Sequence, residues 1–337
     1  MTEQCGQSTR IICAILYWMT TRPSIHPRAS VGHVHLTVAD LPRMLRFYRD
    51  VLGFREAWSD GEHTVFLSAD GRYPFHLGLT TASAARPTGR TAGLYHAAFL
   101  FPDRKALGRI YQRLRTQGVR VDGASDHLVS EAVYLRDPEG NGLELYADRP
   151  RERWPRRDGQ IVMATEPLDL GNLLEAAGDT DAWTGIAPET RLGHVHLSVS
   201  DLRRAEDFYH GVLGFDVTTR DYPGAVFFSA GGYHHHLGVN IWAGTGLARP
   251  PAGSPGLRYF TVALPDREQL AGIVRRAERC EVPIDGATAT DHGLYVAVSL
   301  RDWDGIQVVL TVDRQASRVP PDRWTSEPVE VNAVLRD

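Results

Sequence analysis

The stretch GHVHLTVADL (32–41) returns as GHVHLSVSDL (193–202), and this repeat decides the fold. The match runs on through Phe47-Tyr48 and Phe208-Tyr209 to the tripeptide LGF at 52–54 and 213–215. It then takes in FLSADGRYPFHLGL (66–79) and FFSAGGYHHHLGV (227–239). A second unit follows in each half. AGLYHAAFLFPDRKAL (92–107) matches PGLRYFTVALPDREQL (255–270), and GASDHLVSEAVYLRDPEG (123–140) matches GATATDHGLYVAVSLRDWDG (286–305).

Each unit reads as strand, helix, then strands. His33-Val34-His35-Leu36-Thr37-Val38 alternates with period two, so His33, His35 and Thr37 share a face. Asp40 suits an N-cap, and Leu41, Leu45, Tyr48 and Leu52 follow at helical spacing until Gly53. Val65–Leu67 and Phe75–Leu79 are short strands around the turn signal Ala-Asp-Gly. The second unit predicts a strand near 94–101, a helix over 103–117 ended by Gly118, and strands near 131–136 and 142–147. The fold class is therefore α+β: four βαβββ units, two per half. Consecutive units are expected to curl together into one open cup-shaped mixed sheet in each half.

The expected divisions are an N-terminal extension (1–30), a first domain (31–150), a linker (151–190), a second domain (191–314) and a tail (315–337). The linker is rich in Arg, Pro, Asp and Gly, with a short helix predicted at 169–177. Its basic run Arg149 to Arg157 reads as a solvated arm packed by Trp154. The apolar run Ile11 to Met19 is too short to span a bilayer, and no small-x-small cleavage site follows it. Translation starting at Met19 would make the first 18 residues an extension of the true chain.

The chain has 337 residues, with 42% hydrophobic and 23% charged content, which is ordinary for a soluble protein of two domains. A net charge of −4 gives no basic footprint for nucleic acid. Three scattered cysteines, Cys5, Cys13 and Cys280, build neither a disulfide framework nor a CxxC site, and a cytoplasmic location is expected. No membrane partner is expected, and a homo-oligomer is compatible with the sequence.

His33, His96 and Glu144 fall at repeat-related strand positions whose side chains are expected to converge in one cup. Glu144 lies between Leu143 and Leu145, and a lone carboxylate on a core strand is costly unless paired or bound to metal. Two imidazoles and one carboxylate on one face of an ion leave positions open for substrate and dioxygen, the usual iron(II) oxygenase arrangement. In the second half His194 stands where His33 does, but Tyr259 replaces His96 and Val309 replaces Glu144. The first half is thus expected to carry the metal. The run Tyr233-His234-His235-His236 reads as a polar cup floor or interface. Read as a strand, it leaves at most two of its histidines on one side. His236 aligns with His76, and with His194 and His292 it could form a weak second metal site.

From about residue 31 to 314 the chain resembles the vicinal-oxygen-chelate superfamily of glyoxalases, bleomycin-resistance proteins and dioxygenases. Within it, the chain resembles the two-domain extradiol ring-cleaving dioxygenases of the catechol 2,3-dioxygenase kind. The motifs that carry the resemblance are GHVHLTVADLPRMLRFYRDVLGF, GLYHAAFL, GASDHLVSEAVYLRDPEGNGLELYADRPRERW and GGYHHHLGVNIWAG. It implies a metal triad on His33, His96 and Glu144, holding Fe(II) or alternatively Mn, Ni or Zn. It also implies extradiol cleavage of a catechol-like or hydroquinone-like aromatic diol by dioxygen, in aromatic catabolism. Many such enzymes keep their metal in the C-terminal half, the reverse of the arrangement expected here.

A base is needed to take a phenolic proton and return it later, and His127 suits that role, histidine being the side chain that changes charge near neutral pH. Tyr134, ten residues before Glu144, holds the spacing of the family's active-site tyrosine; in the second half Ser299 stands in its place and His292 in that of His127. Two alternatives remain at this point. One is a glyoxalase-like isomerase or lyase with a fourth ligand, for which His76 is available. The other is a metal-free protein that binds a small molecule such as a drug.

Overall fold

The computed structural model describes residues 24–158, 160–178, 183–290, 295–313 and 326–335. The extension before residue 24, most of the tail and His292 lie outside these.

All four predicted units form. The first holds β1 (Ser30–Val38), α1 (Leu41–Leu45, continued by a π-helical turn Arg46–Val51), β2 (Arg55–Ser59), β3 (Thr64–Ser68) and β4 (Leu77–Thr81). The second holds β5 (Gly93–Phe101), α2 (Arg104–Thr116), β6 (Val121–Asp126), β7 (Ser130–Arg136) and β8 (Gly142–Asp148). The linker contributes short strands β9 (Arg156–Arg157), β10 (Gln160–Ile161) and β11 (Glu166–Pro167), then α3 (Leu170–Ala177). The third unit holds β12 (Arg191–Ser198), α4 (Leu202–Glu206, continued by a π-helical turn Asp207–Val212), β13 (Asp216–Thr219), β14 (Ala225–Ser229) and β15 (Leu237–Asn240). The fourth holds β16 (Gly256–Leu264), α5 (Arg267–Arg279), β17 (Ile284–Thr290), β18 (Tyr295–Arg301) and β19 (Gln307–Asp313). It is followed by β20 (Ser326–Val329) and α6 (Val331–Val334).

Local chemistry sets the helix boundaries. The carboxylates of Asp40, Asp103, Asp169, Asp201 and Asp266 each accept a backbone N–H of the first turn they cap. Gly53 and Gly118 take positive φ at the ends of α1 and α2, as their positions in the sequence suggest.

The pairing of units differs from expectation. One nine-stranded sheet runs β2-β3-β4-β1-β16-β19-β18-β17-β20, and the other runs β11-β6-β7-β8-β5-β12-β15-β14-β13. The first unit thus shares a sheet with the fourth, and the second with the third, so consecutive units of one half do not form a common cup. The reason lies in the repeat itself. β1 and β12 carry the same alternation and offer the same backbone donors and acceptors, so pattern alone does not choose which of them flanks β5. Both seams are antiparallel, β1 with β16 and β5 with β12.

The face assignments hold. Val34, Leu36 and Val38, Ala97, Phe99 and Phe101, and Leu143, Leu145 and Ala147 all enter the main apolar core with the helices. The opposite faces carry the polar residues, and beside them Ala98, Leu100, Ala132 and Tyr146 form a small separate cluster. Gly193 meets Tyr146 there. A Cβ at Gly193 would lie 1.9 Å from the Tyr146 hydroxyl, so only glycine fits. Gly193→Ala is expected to cost about 1–3 kcal/mol, the usual range for overpacking, seen as a lowered urea midpoint with an unchanged slope.

The linker packs closely. Its helix α3 crosses α2 at Gly108, where a Cβ would meet the Leu173 carbonyl at 2.6 Å. Trp154 is buried and donates to the Arg149 carbonyl, while Arg149 pairs with Asp126 and Glu131. Among the described residues no helix is long and apolar enough to cross a membrane.

Candidate metal centre

Three adjacent strands, β8, β5 and β12, build the site. Ala98 of β5 is the register partner of both Glu144 on β8 and His194 on β12, so these three residues form one row. His96 lies two residues before Ala98 on the same face. The methyl group of Ala98 leaves the space above it free for the three longer side chains. Among the described residues, His96, Glu144 and His194 are the group of donors that could hold an ion, with all three ligand atoms within 4.8 Å of one another.

Both histidine Nε2 atoms lie 3.1 Å from the same oxygen, Glu144 Oε2. His194 makes a hydrogen bond there, whereas His96 Nε2 is off the hydrogen-bonding angle and buried without a partner. An orphaned nitrogen beside a carboxylate that a second imidazole already meets is what a site shaped for a cation looks like, because a buried polar atom left unpaired is otherwise costly. Burial acts to raise the Glu144 carboxyl, but His194 and His96 together hold it well below the usual carboxylate range. Burial pushes His194 down to about 4 against the pull of Glu144. His194 therefore stands as a neutral imidazole and Glu144 as a carboxylate, the protonation states that metal binding requires of them.

His33 is elsewhere. It lies on β1 in the other sheet, its backbone N–H donating to Thr261 Oγ1 at 2.7 Å and its Nε2 3.4 Å from the Tyr259 hydroxyl. The expected trio of His33, His96 and Glu144 is thus corrected in one member: the structure brings His194 to His96 and Glu144. The reason is the exchange of units. With β5 beside β12, the histidine of the second GHVH copy arrives where the first was expected. In the other cup the corresponding positions are His33, Tyr259 and Val309, and burial with His76 lowers His33 to about 3. His35 is held by Tyr259 and Thr80 at 2.9 and 2.7 Å.

A cavity of about 300 Å³ opens in front of the trio. Tyr95, Phe227, Tyr222 and Trp242 supply aromatic walls, and Val129, Met163 and Ala164 supply aliphatic ones. Tyr95 and Trp242, the two exposed large apolar side chains among the described residues, meet edge to face at 5.2 Å at its mouth. Arg136, the one arginine or lysine among its described lining residues, is engaged by Asp122 at 3.3 Å and by the Gly140 carbonyl.

His127 and Tyr134 both line this cavity. Tyr134 is the register partner of Glu144. The Ala164 carbonyl can only accept, so His127 Nδ1 donates to it at 2.7 Å, leaving Nε2 to accept from the Tyr134 hydroxyl at 2.6 Å. Burial, with Glu144 nearby, raises Tyr134 well above its ordinary range and keeps it a phenol.

His194, His196 and His235 line the cavity as well. In sequence His194 reads as part of a weak second site and the 233–236 run as a cup floor or interface, and His196 is not singled out. His196 pairs with His96 across the seam, and its Nε2 is buried without a partner. His235 packs against His194 with ring centres 4.1 Å apart. His236, considered above for a second site, instead accepts the Ala230 N–H at 3.1 Å, just as His76 accepts that of Ala69 at 3.2 Å. A signal for His235 was present: its counterpart in the first unit is Phe75, so only the third unit made that position polar.

The family model described as Glyoxalase/Bleomycin resistance protein/Dioxygenase superfamily matches residues 30–145 and 191–310, and the chain belongs to this superfamily. It is 45% identical over 266 residues to a catechol-2,3-dioxygenase of Bacillus subtilis (strain 168), covering 78% of this chain and 92% of that one. It is 27% identical over 287 residues to a manganese-dependent 2,3-dihydroxybiphenyl 1,2-dioxygenase of Geobacillus genomosp. 3, covering 81% and 80%. A solved putative dioxygenase from Bacillus subtilis subsp. subtilis str. 168 shares the fold, with a TM-score of 0.58, 15% identity, and 87% and 86% of the two chains covered.

Proposed function

We propose that the protein is an extradiol dioxygenase that opens the ring of an uncharged, substituted catechol, with His96, Glu144 and His194 holding a divalent ion. The observation that carries this is the three-donor set facing an aromatic cavity. Three protein donors suit an ion that must also accept substrate and dioxygen. His76, the alternative fourth ligand, belongs to the other sheet and is used against the Ala69 N–H, which weighs against a glyoxalase-like site. An iron(II) ion is the natural occupant for oxygen chemistry, and manganese(II) is the alternative that one relative's name suggests.

A bound ion would polarise the diol oxygens and offer dioxygen an adjacent position. The chain's own residues do the rest. Tyr222, Phe227 and Trp242 hold the ring between apolar walls and exclude water. Tyr134 offers its hydroxyl on the same face as Glu144, and the His127 Nε2 that accepts it can take up or return a proton through that bond. His235, on the opposite side beside His194, is placed to receive a phenolic proton.

Among the described residues the one arginine or lysine lining the cavity, Arg136, already meets Asp122 and the Gly140 carbonyl, which disfavours a carboxylated substrate. After anaerobic loading with iron(II) or manganese(II), catechol and its alkyl- or aryl-substituted forms are expected to consume oxygen and give yellow ring-fission products. Their kcat/KM is expected to exceed that of carboxylated catechols by about a hundredfold or more, on the order of the cost of burying an unpaired charge. Absence of oxygen uptake with every diol and either metal would refute the reading.

A further inference from the structure

The Tyr233-His234-His235 segment lies just before β15, outside the strand, so its consecutive side chains are not forced to opposite faces as a strand would require. His234 Nδ1 and His235 Nδ1 meet at 2.9 Å, and His234 Nε2 lies 2.9 Å from Asp148 Oδ1. Asp148 stands on β8 four residues after Glu144, on the same face. Its carboxylate also accepts from the Tyr233 hydroxyl at 3.3 Å, and that hydroxyl is 2.8 Å from that of Tyr146. The His234 ring is buried between Tyr233 and Trp154, with centres 4.1 and 5.2 Å away.

We propose that Asp148 and His234 are positioning residues that fix the tautomer of His235, so that its Nε2 presents a bare lone pair to the cavity. This rests on the dioxygenase reading only in making a diol the group that this lone pair faces. Proton counting gives the tautomer. An ionised Asp148 can only accept, so the proton of His234 sits on Nε2. With one proton on each imidazole, His234 Nδ1 is then bare and must accept from His235 Nδ1–H, which leaves His235 Nε2 without a proton. His235 lines the cavity while its Nδ1 is turned to His234.

The other cup supplies an internal control. Tyr73 and Asp313 are the counterparts of Tyr233 and Asp148, and they too are hydrogen-bonded. The tyrosine–aspartate tie is therefore common scaffold. What differs is that Pro74 and Phe75 take the places of His234 and His235. The two imidazoles occur only beside the three-donor site.

The test is made on the full chain loaded with diamagnetic zinc(II) and carrying 15N-labelled histidine. Long-range proton–nitrogen correlation spectra are expected to show His235 as the Nδ1–H form and His234 as the Nε2–H form. His234→Phe keeps a planar ring but removes both nitrogens. It is expected to release His235 into a mixture of tautomers and, in the iron(II) enzyme, to lower kcat by about 10- to 100-fold with KM within about threefold. His234→Asn, whose amide oxygen can stand near the Nδ1 position, is expected to restore the Nδ1–H form and most of kcat. An Nε2–H form of His235 in the unaltered protein would overturn the proposal, as would a His234→Phe protein with unchanged tautomer and kcat. If the tautomers are as stated but no diol is cleaved, the positioning role stands and the dioxygenase reading falls.

Discussion

Glu144→Gln is expected to remove bound metal and to lower kcat/KM by at least about a thousandfold while leaving the fold intact. Glutamine keeps the volume and one acceptor oxygen of the side chain, so the packing between Leu143 and Leu145 is undisturbed. It removes the only anion among the three donors. A buried cation that loses its only anionic partner forfeits about 4 kcal/mol, which corresponds to that factor. Metal content after gel filtration and initial rates of oxygen uptake measure the two effects separately. A Glu144→Gln protein that keeps one equivalent of metal and near-normal rates would show that the trio is not the metal site.

The second large effect separates two histidines that the sequence makes look alike. His194→Ala is expected to abolish both metal retention and turnover, because only two donors remain around the ion. His33→Ala is expected to leave one metal per chain and kcat/KM within about twofold. It should still lower stability by about 1–3 kcal/mol, since the Tyr259 hydroxyl and Thr261 hydroxyl lose contacts with its ring in a buried environment. Metal analysis and urea unfolding of the two variants side by side give the answer. Loss of metal from His33→Ala with its retention in His194→Ala would reverse the pairing of units described above.

The comparison between these residues shows where sequence reading works and where it stops. Period-two alternation put His33, His96 and Glu144 on cup faces and Val34, Ala97 and Leu143 in the core, and each lies there. Asp40 announced its helix because capping is a local interaction. Glu144 stood out because an acid on a buried strand needs a partner. The identity of its second histidine was not legible. GHVH at 32–35 and at 193–196 is the same tetrapeptide, and the choice between them is made by which seam β5 joins, a long-range event with no local signature. The histidine run read as a polar cup floor or interface, and one member, His235, does line the cavity. The run was read with strand geometry, whereas the chain bends there and lets His234 and His235 bond to each other. The substitution of Phe75 by His235 between repeats was the one written sign that the third unit faces the chemistry.

The seam between β5 and β12 also fixes an order in time. Chains are synthesised from the N-terminus, and His96 and Glu144 leave the ribosome long before His194. Until β12 emerges and docks, the nascent chain offers only one imidazole and one carboxylate from this group, exposed along an open strand edge. Cation capture is therefore a late step in biogenesis, coupled to the joining of the second and third repeats. A ribosome-bound chain stalled before residue 194 should hold no ion.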